Sequence, residues 1–434
     1  WKAAPGAYVA PFDALPDKTS THVTIANPFP VLTDNQTVPL LMSVPNAASG
    51  QVKPAAGWPV VIFGHAMQGN RSQMLALADT SALAGFAVIA IDFPLHGISP
   101  DDPALAPLYV GNTPFAPMAN ERTFDLDFVD NSTGAPGPDG KADPSGTHFI
   151  QLASLLTNRD NFRQGIADLS TLAVTLPSID INGDTLPDLD ASNVVYAGIS
   201  LGGIHGTAFT AIEPMVNRAF LSVPMGGVMR GLEASPTIGP KIQAGLAAKG
   251  VMPGTADYES FFIVAQTAFD SADPVNWGAE AARYNSIVVH EVWGDAVFPN
   301  YVLTAPLSGT EPLINTMGLT SYASTQQNAS GVKVAGRFAP PADHGSLLSP
   351  AASPAATVEM QKQFASFIAT KGTAVQVTDA TTMVPEAAAT TGAVSGLTEK
   401  SGSKKAKGKK PVTPSNRLET PRKPNELRDP NRFE

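Results

Sequence analysis

The sequence predicts an α/β protein: a mostly parallel central sheet flanked by helices, with a cap or lid inserted over it. Three observations carry this. Short buried-type apolar runs at Trp58–Phe63, Phe86–Ile91, Val194–Ala197, Ala219–Val223 and Ser286–Trp293 are separated by segments with helical spacing or by long loops. The first two enclose the helical pattern of Ser72–Leu83, which makes a strand–helix–strand unit. Asn193–His205 then runs Asn-Val-Val-Tyr-Ala-Gly-Ile-Ser-Leu-Gly-Gly-Ile-His, a strand-like run that breaks through a Gly-x-Ser-x-Gly turn into a helix start. Gly198 and Gly202 flank Ser200 by two residues on either side, where a side chain would crowd the opposite arm of a sharp turn. Such a turn exposes the serine at a helix N-terminus, where the dipole favours an alkoxide and a neighbouring oxyanion.

The chain has 434 residues, 43% of them hydrophobic, enough for a sizeable core. Its net charge of −10 is unevenly spread. Residues 399–434 hold eleven Lys and Arg against five Asp and Glu, leaving 17 against 33 for residues 1–398. An acidic body excludes the basic face that phosphate neutralisation requires, so a nucleic-acid partner is not expected. The absence of cysteine excludes disulfides, thiol catalysis and Cys-ligated metals. No run of eighteen apolar residues predicts a membrane span. The chain starts at Trp1 without a charged, apolar leader, which fits a secreted or surface protein whose signal peptide has been removed.

In order along the chain, residues 1–50 read as an N-terminal extension with edge strands at His22–Ile25 and Val38–Val44. Residues 51–380 form the main domain. Within it, Trp58–Phe63 ends in Gly64-His65-Ala66-Met67-Gln68-Gly69-Asn70, and Phe86–Ile91 in Asp92-Phe93-Pro94-Leu95-His96-Gly97-Ile98-Ser99. Residues 100–148 are rich in Pro, Gly, Asn and Asp and read as an irregular excursion that roofs a pocket. Phe149–Leu176 has the longest helical pattern, with Phe162, Ile166, Leu169, Leu172 and Ala173 on one face. Residues 225–285 are longer than a plain crossover needs, so a cap is expected there. Val332–Phe338 and Ala355–Thr370 read as a last strand and helix. The Ala-, Thr-, Gly- and Ser-rich composition after 380, passing into Lys-Lys-Ala-Lys-Gly-Lys-Lys, predicts a disordered basic tail over 381–434.

Ahead of the Ser200 strand lies Asp180-Ile-Asn182-Gly-Asp184-Thr-Leu-Pro-Asp188-Leu-Asp190. Oxygen-bearing side chains at alternating positions, with a glycine turn, suit a hard cation such as Ca²⁺, and Asp180, Asn182, Asp184 and Asp188 are the candidate ligands of a structural calcium. The spacing departs from an EF-hand: glycine falls fourth rather than sixth, and Ala191 stands at position twelve. The competing reading is an Asx-rich turn satisfied by its own backbone.

Taken together, Gly-His-Ala-Met-Gln-Gly, Asp-x-Pro-x-His-Gly-x-Ser, Gly-Ile-Ser-Leu-Gly-Gly, Gly-Asp-x-x-x-Pro at residues 294–299 and Asp-His-Gly-Ser at 343–346 resemble the α/β-hydrolase superfamily. Within it, residues 20–370 are similar to bacterial extracellular or surface lipases and esterases of the virulence-factor lipase type. The resemblance implies serine ester hydrolysis on acyl esters or lipids, with no cofactor. It makes Ser200 the nucleophile. It puts the acid after a strand, at Asp295, with Asp270 and Glu291 as alternatives. Its order of nucleophile, acid, histidine leaves His344 of the seven histidines: His22, His65, His96 and His148 come too early, His205 lies in the elbow helix and His290 in the strand before the acid. The oxyanion donors it implies are the amides of Leu201 and Met67, although Ala66 stands where the family has glycine. The same triad also serves amide or peptide hydrolysis, and a non-catalytic lipid-binding surface protein could retain the fold.

Overall fold

The computed structural model describes residues 23, 24, 30 and 35–386, all within the first of two compact units, Trp1–Gly392. The ends of the His22–Ile25 run, and the basic tail from residue 387 onward, lie outside the described residues.

Eight strands form one sheet in the order β1-β3-β2-β4-β5-β6-β9-β7. They are β1 (Leu40–Ser43), β2 (Trp58–Gly64), β3 (Ala87–Ile91), β4 (Leu189–Ile199), β5 (Val216–Ser222), β6 (Ser286–Val292), β7 (Thr320–Tyr322) and β9 (Lys333–Phe338). Every pairing is parallel except β1 on β3. Gln326–Gln327 (β8) and Ala374–Val375 (β10) make a separate two-stranded ribbon. Central strands covered on both faces must be apolar throughout, which is why β3 and residues 60–63 of β2 read as continuous Val, Ile, Phe and Ala runs.

The helices are α1 (Leu75–Leu83), α2 (Leu155–Thr175), α3 (Leu201–Ile212), α4 (Val228–Ala234), α5 (Gly239–Ala247), α6 (Ala256–Phe269), α7 (Pro274–Tyr284), α8 (Thr310–Met317) and α9 (Pro354–Ala369). They divide the interior in two. On one face, α2, α3 and α4–α8 pack Phe162, Leu169, Ile204, Phe209, Phe262 and Leu313 against Val60, Ile62, Tyr196 and Leu221. On the other, α1 and α9 pack Leu77, Phe364 and Phe367 against Val61, Phe63, Val195 and Phe220. This layering, with an antiparallel first strand at one edge and a serine turn after β4, is the α/β-hydrolase fold.

Two boundaries differ from the sequence reading. The long helix starts at Leu155, not Phe149, because Phe149 is drawn down into tilted ring contacts with His96 and Phe162. The ordered domain continues past residue 380: Met383 pairs with Phe338, and the Val384 amide donates to Arg337 O at 2.8 Å. Residues 228–269 hold three helices that share the first core, and one carboxylate anchors the start of the first of them. Fully buried Asp273 accepts the amides of Gly227 (2.9 Å) and Val228 (2.7 Å) at the start of α4, and the amide of Val275 in its own helix α7. Burial pushes its carboxyl up, and these donors oppose that.

Candidate active site

The register of the sheet brings the carboxyl ends of β4, β5, β6 and β9 level: Ile199 pairs with Ser222, Ser222 with His290, and His290 with Gly336. Parallel strands lie about 4.8 Å apart, so residues just beyond β4 and β6 are roughly 10 Å apart, the span of a serine–imidazole–carboxylate relay.

Ser200 stands between β4 and α3 with φ 56° and ψ −115°, a backbone that a non-glycine residue holds only at a cost of about 1–3 kcal/mol. The glycines permit it. A Cβ on Gly202 would lie 2.1 Å from Gly64 O, and one on Gly198 would lie 2.5 Å from Gly202 O. Ser200 N donates to Ser222 O at 2.9 Å, and Tyr196 Oη donates to Gly202 O at 2.7 Å, so the turn is held from both sides. Ser200 is 2% exposed.

Asp295 follows β6 in a turn begun by Gly294, whose φ of 78° suits glycine. Its Oδ1 accepts the amides of Val297 (2.7 Å) and Phe298 (3.2 Å), which aims Oδ2 at His344 Nδ1, 2.6 Å away. With Nδ1–H donated to the carboxylate, Nε2 is the acceptor. It is buried and has no hydrogen-bond partner among the described residues, so Ser200 Oγ does not bond it in this structure. Phe298 meets the imidazole edge-on at 5.0 Å. The loop after β9 that carries His344 is braced by Asp343, which accepts the Gly345 amide and the Ser346 hydroxyl. The alternative acids are engaged elsewhere. Asp270 is exposed and accepts from Gln266, whereas Glu291 is buried beside Arg337.

The loop after β2 resolves the question raised by Ala66. Its amide donates to Gln73 Oε1 at 2.9 Å and the Gly69 amide to Ala66 O at 2.9 Å, so Ala66 does not supply an oxyanion donor. The Met67 N–H makes no hydrogen bond among the described residues, and Leu201, first in α3, has no intrahelical acceptor for its own. Ser145 Oγ donates to Gly69 O at 2.6 Å, tying the 100–148 excursion to this loop, and Ser145 also lines a cavity of about 380 Å³ between residues 97–101 and 140–143. His65 Nε2 accepts the Phe93 amide and Nδ1–H donates to Ala66 O. Burial lowers His65 well below the usual imidazole range, and lowers His96 to about 4 and His205 to about 3. The three are neutral rings packed among Phe93, Phe149 and Phe162, His205 stacked and His65 and His96 tilted, a floor rather than catalytic bases.

Beneath the floor, Arg71 joins Asp92 and Glu121. Its Nη1 donates to Asp92 Oδ2 and to Glu121 Oε2 (2.6 Å), and its Nη2 to Glu121 Oε1 (2.8 Å) and Leu108 O (2.9 Å). Glu121 also accepts the amides of Ile98 and Val110. An excursion without regular helices or strands is therefore pinned by buried charge. Gln73, Ser145 and Glu121 belong to no local motif; only Gly69, where a Cβ would meet Gln73 at 2.5 Å, hints at a crossing side chain.

The acidic loop before β4 has a different character. Asp180 accepts the Gly183 and Thr185 amides, Asn182 Oδ1 the Asp184 amide, Asp184 Oδ1 the Leu186 amide and Oδ2 the Asn182 Nδ2. Asp188 takes Lys53 Nζ at 2.7 Å and the Ile181 amide at 2.6 Å. Among the described residues no three His, Asp or Glu side chains could share a metal ion. Asp180, Asn182 and Asp184 thus accept local amides in the manner of an Asx turn, while Asp188 is held by Lys53 and the Ile181 amide.

No helix among the described residues is long and apolar enough to cross a membrane. No family model matches the chain, nor does any curated protein. Solved structures do resemble it. One is acetyl xylan esterase from Paenibacillus sp. R4, at 16% identity over 71% of this chain and 74% of that one, with a TM-score of 0.41. A second is a thermophilic esterase from Thermogutta terrifontis, at 13% over 78% and 92% (TM-score 0.43). A third is the monoacylglycerol lipase of Paleococcus ferrophilus, at 13% over 77% and 99% (TM-score 0.40).

Proposed function

We propose that the chain is a serine carboxylic-ester hydrolase acting through an acyl-enzyme. The observation that supports this most is the strained Ser200 at the same sheet edge as the His344–Asp295 pair, with His344 Nε2 buried and free to accept. Ser200 Oγ attacks the ester carbonyl and His344 Nε2 takes its proton, while Asp295 holds the tautomer and stabilises the imidazolium. The Met67 and Leu201 amides bind the oxyanion. His344 then protonates the departing alcohol, and a water deprotonated by His344 releases the acid and restores Ser200. The hydrogen bond between nucleophile and base is often loose without substrate and tightens when one binds. No step requires a cofactor.

The substrate class is acyl esters, with lipids and polyesters within it. The resemblance to secreted or surface lipases of the virulence-factor type belongs to the same reading, as does a cap role for α4–α6. Rates on p-nitrophenyl esters of increasing acyl length, with and without a lipid–water interface, beside matched anilides, test it. Ester turnover well above anilide turnover is expected. Faster anilide cleavage would make this an amidase, and no turnover of either would leave a lipid-binding protein.

A further inference from the structure

Beyond the triad, a buried network lies between the loop that carries Asp295 and the strand that leads to His344. Asn300, 9% exposed, sits across the turn. Its Oδ1 accepts the Gly294 amide at 2.7 Å, and its Nδ2 donates to Val292 O at 2.8 Å and to Glu291 Oε1 at 2.7 Å. Glu291, 1% exposed on β6, places Oε2 3.0 Å from Arg337 Nε on β9. The Arg337 hydrogens go elsewhere: Nε and Nη2 donate to Glu311 Oε1 (2.6 Å) and Oε2 (2.8 Å), and Nη1 to Ser321 Oγ (2.8 Å). Glu311 in turn gives its amide to Asn300 O at 2.8 Å. The chain of contacts begins at the residue before Asp295 and ends five residues before the His344 loop reaches Ala342.

We propose that Glu291 and Asn300 are positioning residues for hydrolysis, cross-bracing the Gly294–Asp295 turn and locking it to β9 so that Asp295 Oδ2 meets His344 Nδ1. This rests on the triad reading above. Glu291 performs the task as a neutral acid. Two buried carboxyls face one guanidinium, so both ionised would leave a net buried negative charge, which is costly. Its Oε2 receives no hydrogen bond, a poor state for a carboxylate oxygen but a sound one for a hydroxyl, whose proton has the Glu311 carboxylate as acceptor. Burial first, and the Glu311 charge second, raise the Glu291 carboxyl well above its usual range, against the pull of Arg337 and of Asn300. The charged or titratable groups against it are thus Glu311 from α8 and Arg337 from β9, with neutral Asn300 from the loop. A carboxyl raised in the folded state stabilises the fold fully below the unfolded carboxyl range. That contribution fades as pH rises through the folded value.

Three readouts on the purified protein test this: kcat and KM on a p-nitrophenyl ester, the low-field proton resonance of His344 Nδ1–H, and melting temperature against pH. Glu291→Gln copies the neutral acid. It should keep kcat within about threefold of wild type, keep the resonance, and lose less melting temperature than wild type on going alkaline. Asn300→Leu should lower kcat roughly 10- to 100-fold at unchanged KM and shift or abolish the resonance, the scale expected for a misplacement near 1 Å. If folded Asn300→Leu matches wild type in rate and resonance, the bracing role is overturned. If Glu291→Gln falls as far as Asn300→Leu, the neutral form is overturned. Should Asn300→Leu fail to fold, Asn300→Ser, which cannot reach the same three partners but adds no bulk, takes its place, with the same fall in kcat and loss of resonance expected and wild-type behaviour overturning the bracing role. A wild type that shows the resonance but hydrolyses no ester would overturn the hydrolase reading instead, leaving the bracing to be judged by the resonance.

Discussion

Two regions of this chain looked chemical in sequence, the carboxyl edge of the sheet and the Asp180–Asp190 loop, and they are built in opposite ways. At the sheet edge the backbone is repeatedly left-handed after successive strands: Gln68 (φ 61°), Leu95 (64°), Ser200 (56°), Val223 (46°) and Gly294 (78°). Val223 is β-branched, where that conformation is a true outlier. It turns its side chain onto the α1/α9 face, among Ala342 and Leu347 of the histidine loop. Partners there come from far along the chain: Asp295 with His344, Ser145 with Gly69, Glu121 with Arg71. From Asp180 to Leu186 the loop is exposed and its carboxylate and amide side chains bond within five residues; only buried Asp188 reaches farther, to Ile181 and Lys53. Distant, buried partners hold strain in place for a reaction, whereas local ones merely close a turn.

The sharpest way to break this contrast is at the acid. Asp295→Asn should lower turnover by roughly 10³- to 10⁴-fold with the fold intact, because asparagine favours the wrong imidazole tautomer. Asp270→Asn should stay near wild type; the reverse result would move the acid to Asp270. Steady-state kinetics on both variants decides it.

Next in size is the buried charge beneath the oxyanion loop. Arg71→Met leaves Asp92 and Glu121 facing each other without a cation, and should cost about 3–5 kcal/mol in denaturant unfolding. A loss below about 1 kcal/mol would mean that Arg71 does not pin the excursion.

The smallest effect belongs to the acidic loop. If its oxygens are satisfied as described, neither EDTA nor millimolar Ca²⁺ should move the melting curve. A rise in melting temperature with Ca²⁺ would show an ion binding the folded state and would return Asp180, Asn182, Asp184 and Asp188 to a metal site.

These same differences explain what was legible in the sequence. Ser200, Asp295 and His344 each sit in a short glycine-bearing turn after a strand, so local motifs single them out, and the structure brings the Asp295 and His344 side chains together. Ser145 and Glu121 bond partners 76 and 50 residues away and lie in an excursion with little periodicity to read, while Gln73 and Asn300 cross their own loops at spacings that match no motif. The acidic loop is legible only as far as two readings: oxygen spacing alone does not distinguish a cation cage from a turn whose own amides fill it.

The central claim is that Ser200 is a nucleophile activated by His344. Labelling with a fluorophosphonate, followed by mass spectrometry of the peptide containing Ser200, tests it directly in wild type and in His344→Ala. The account predicts one label per chain, on Ser200, at a rate at least roughly 10³-fold slower without His344. No label, a label on another residue, or an equal rate in both proteins would contradict it.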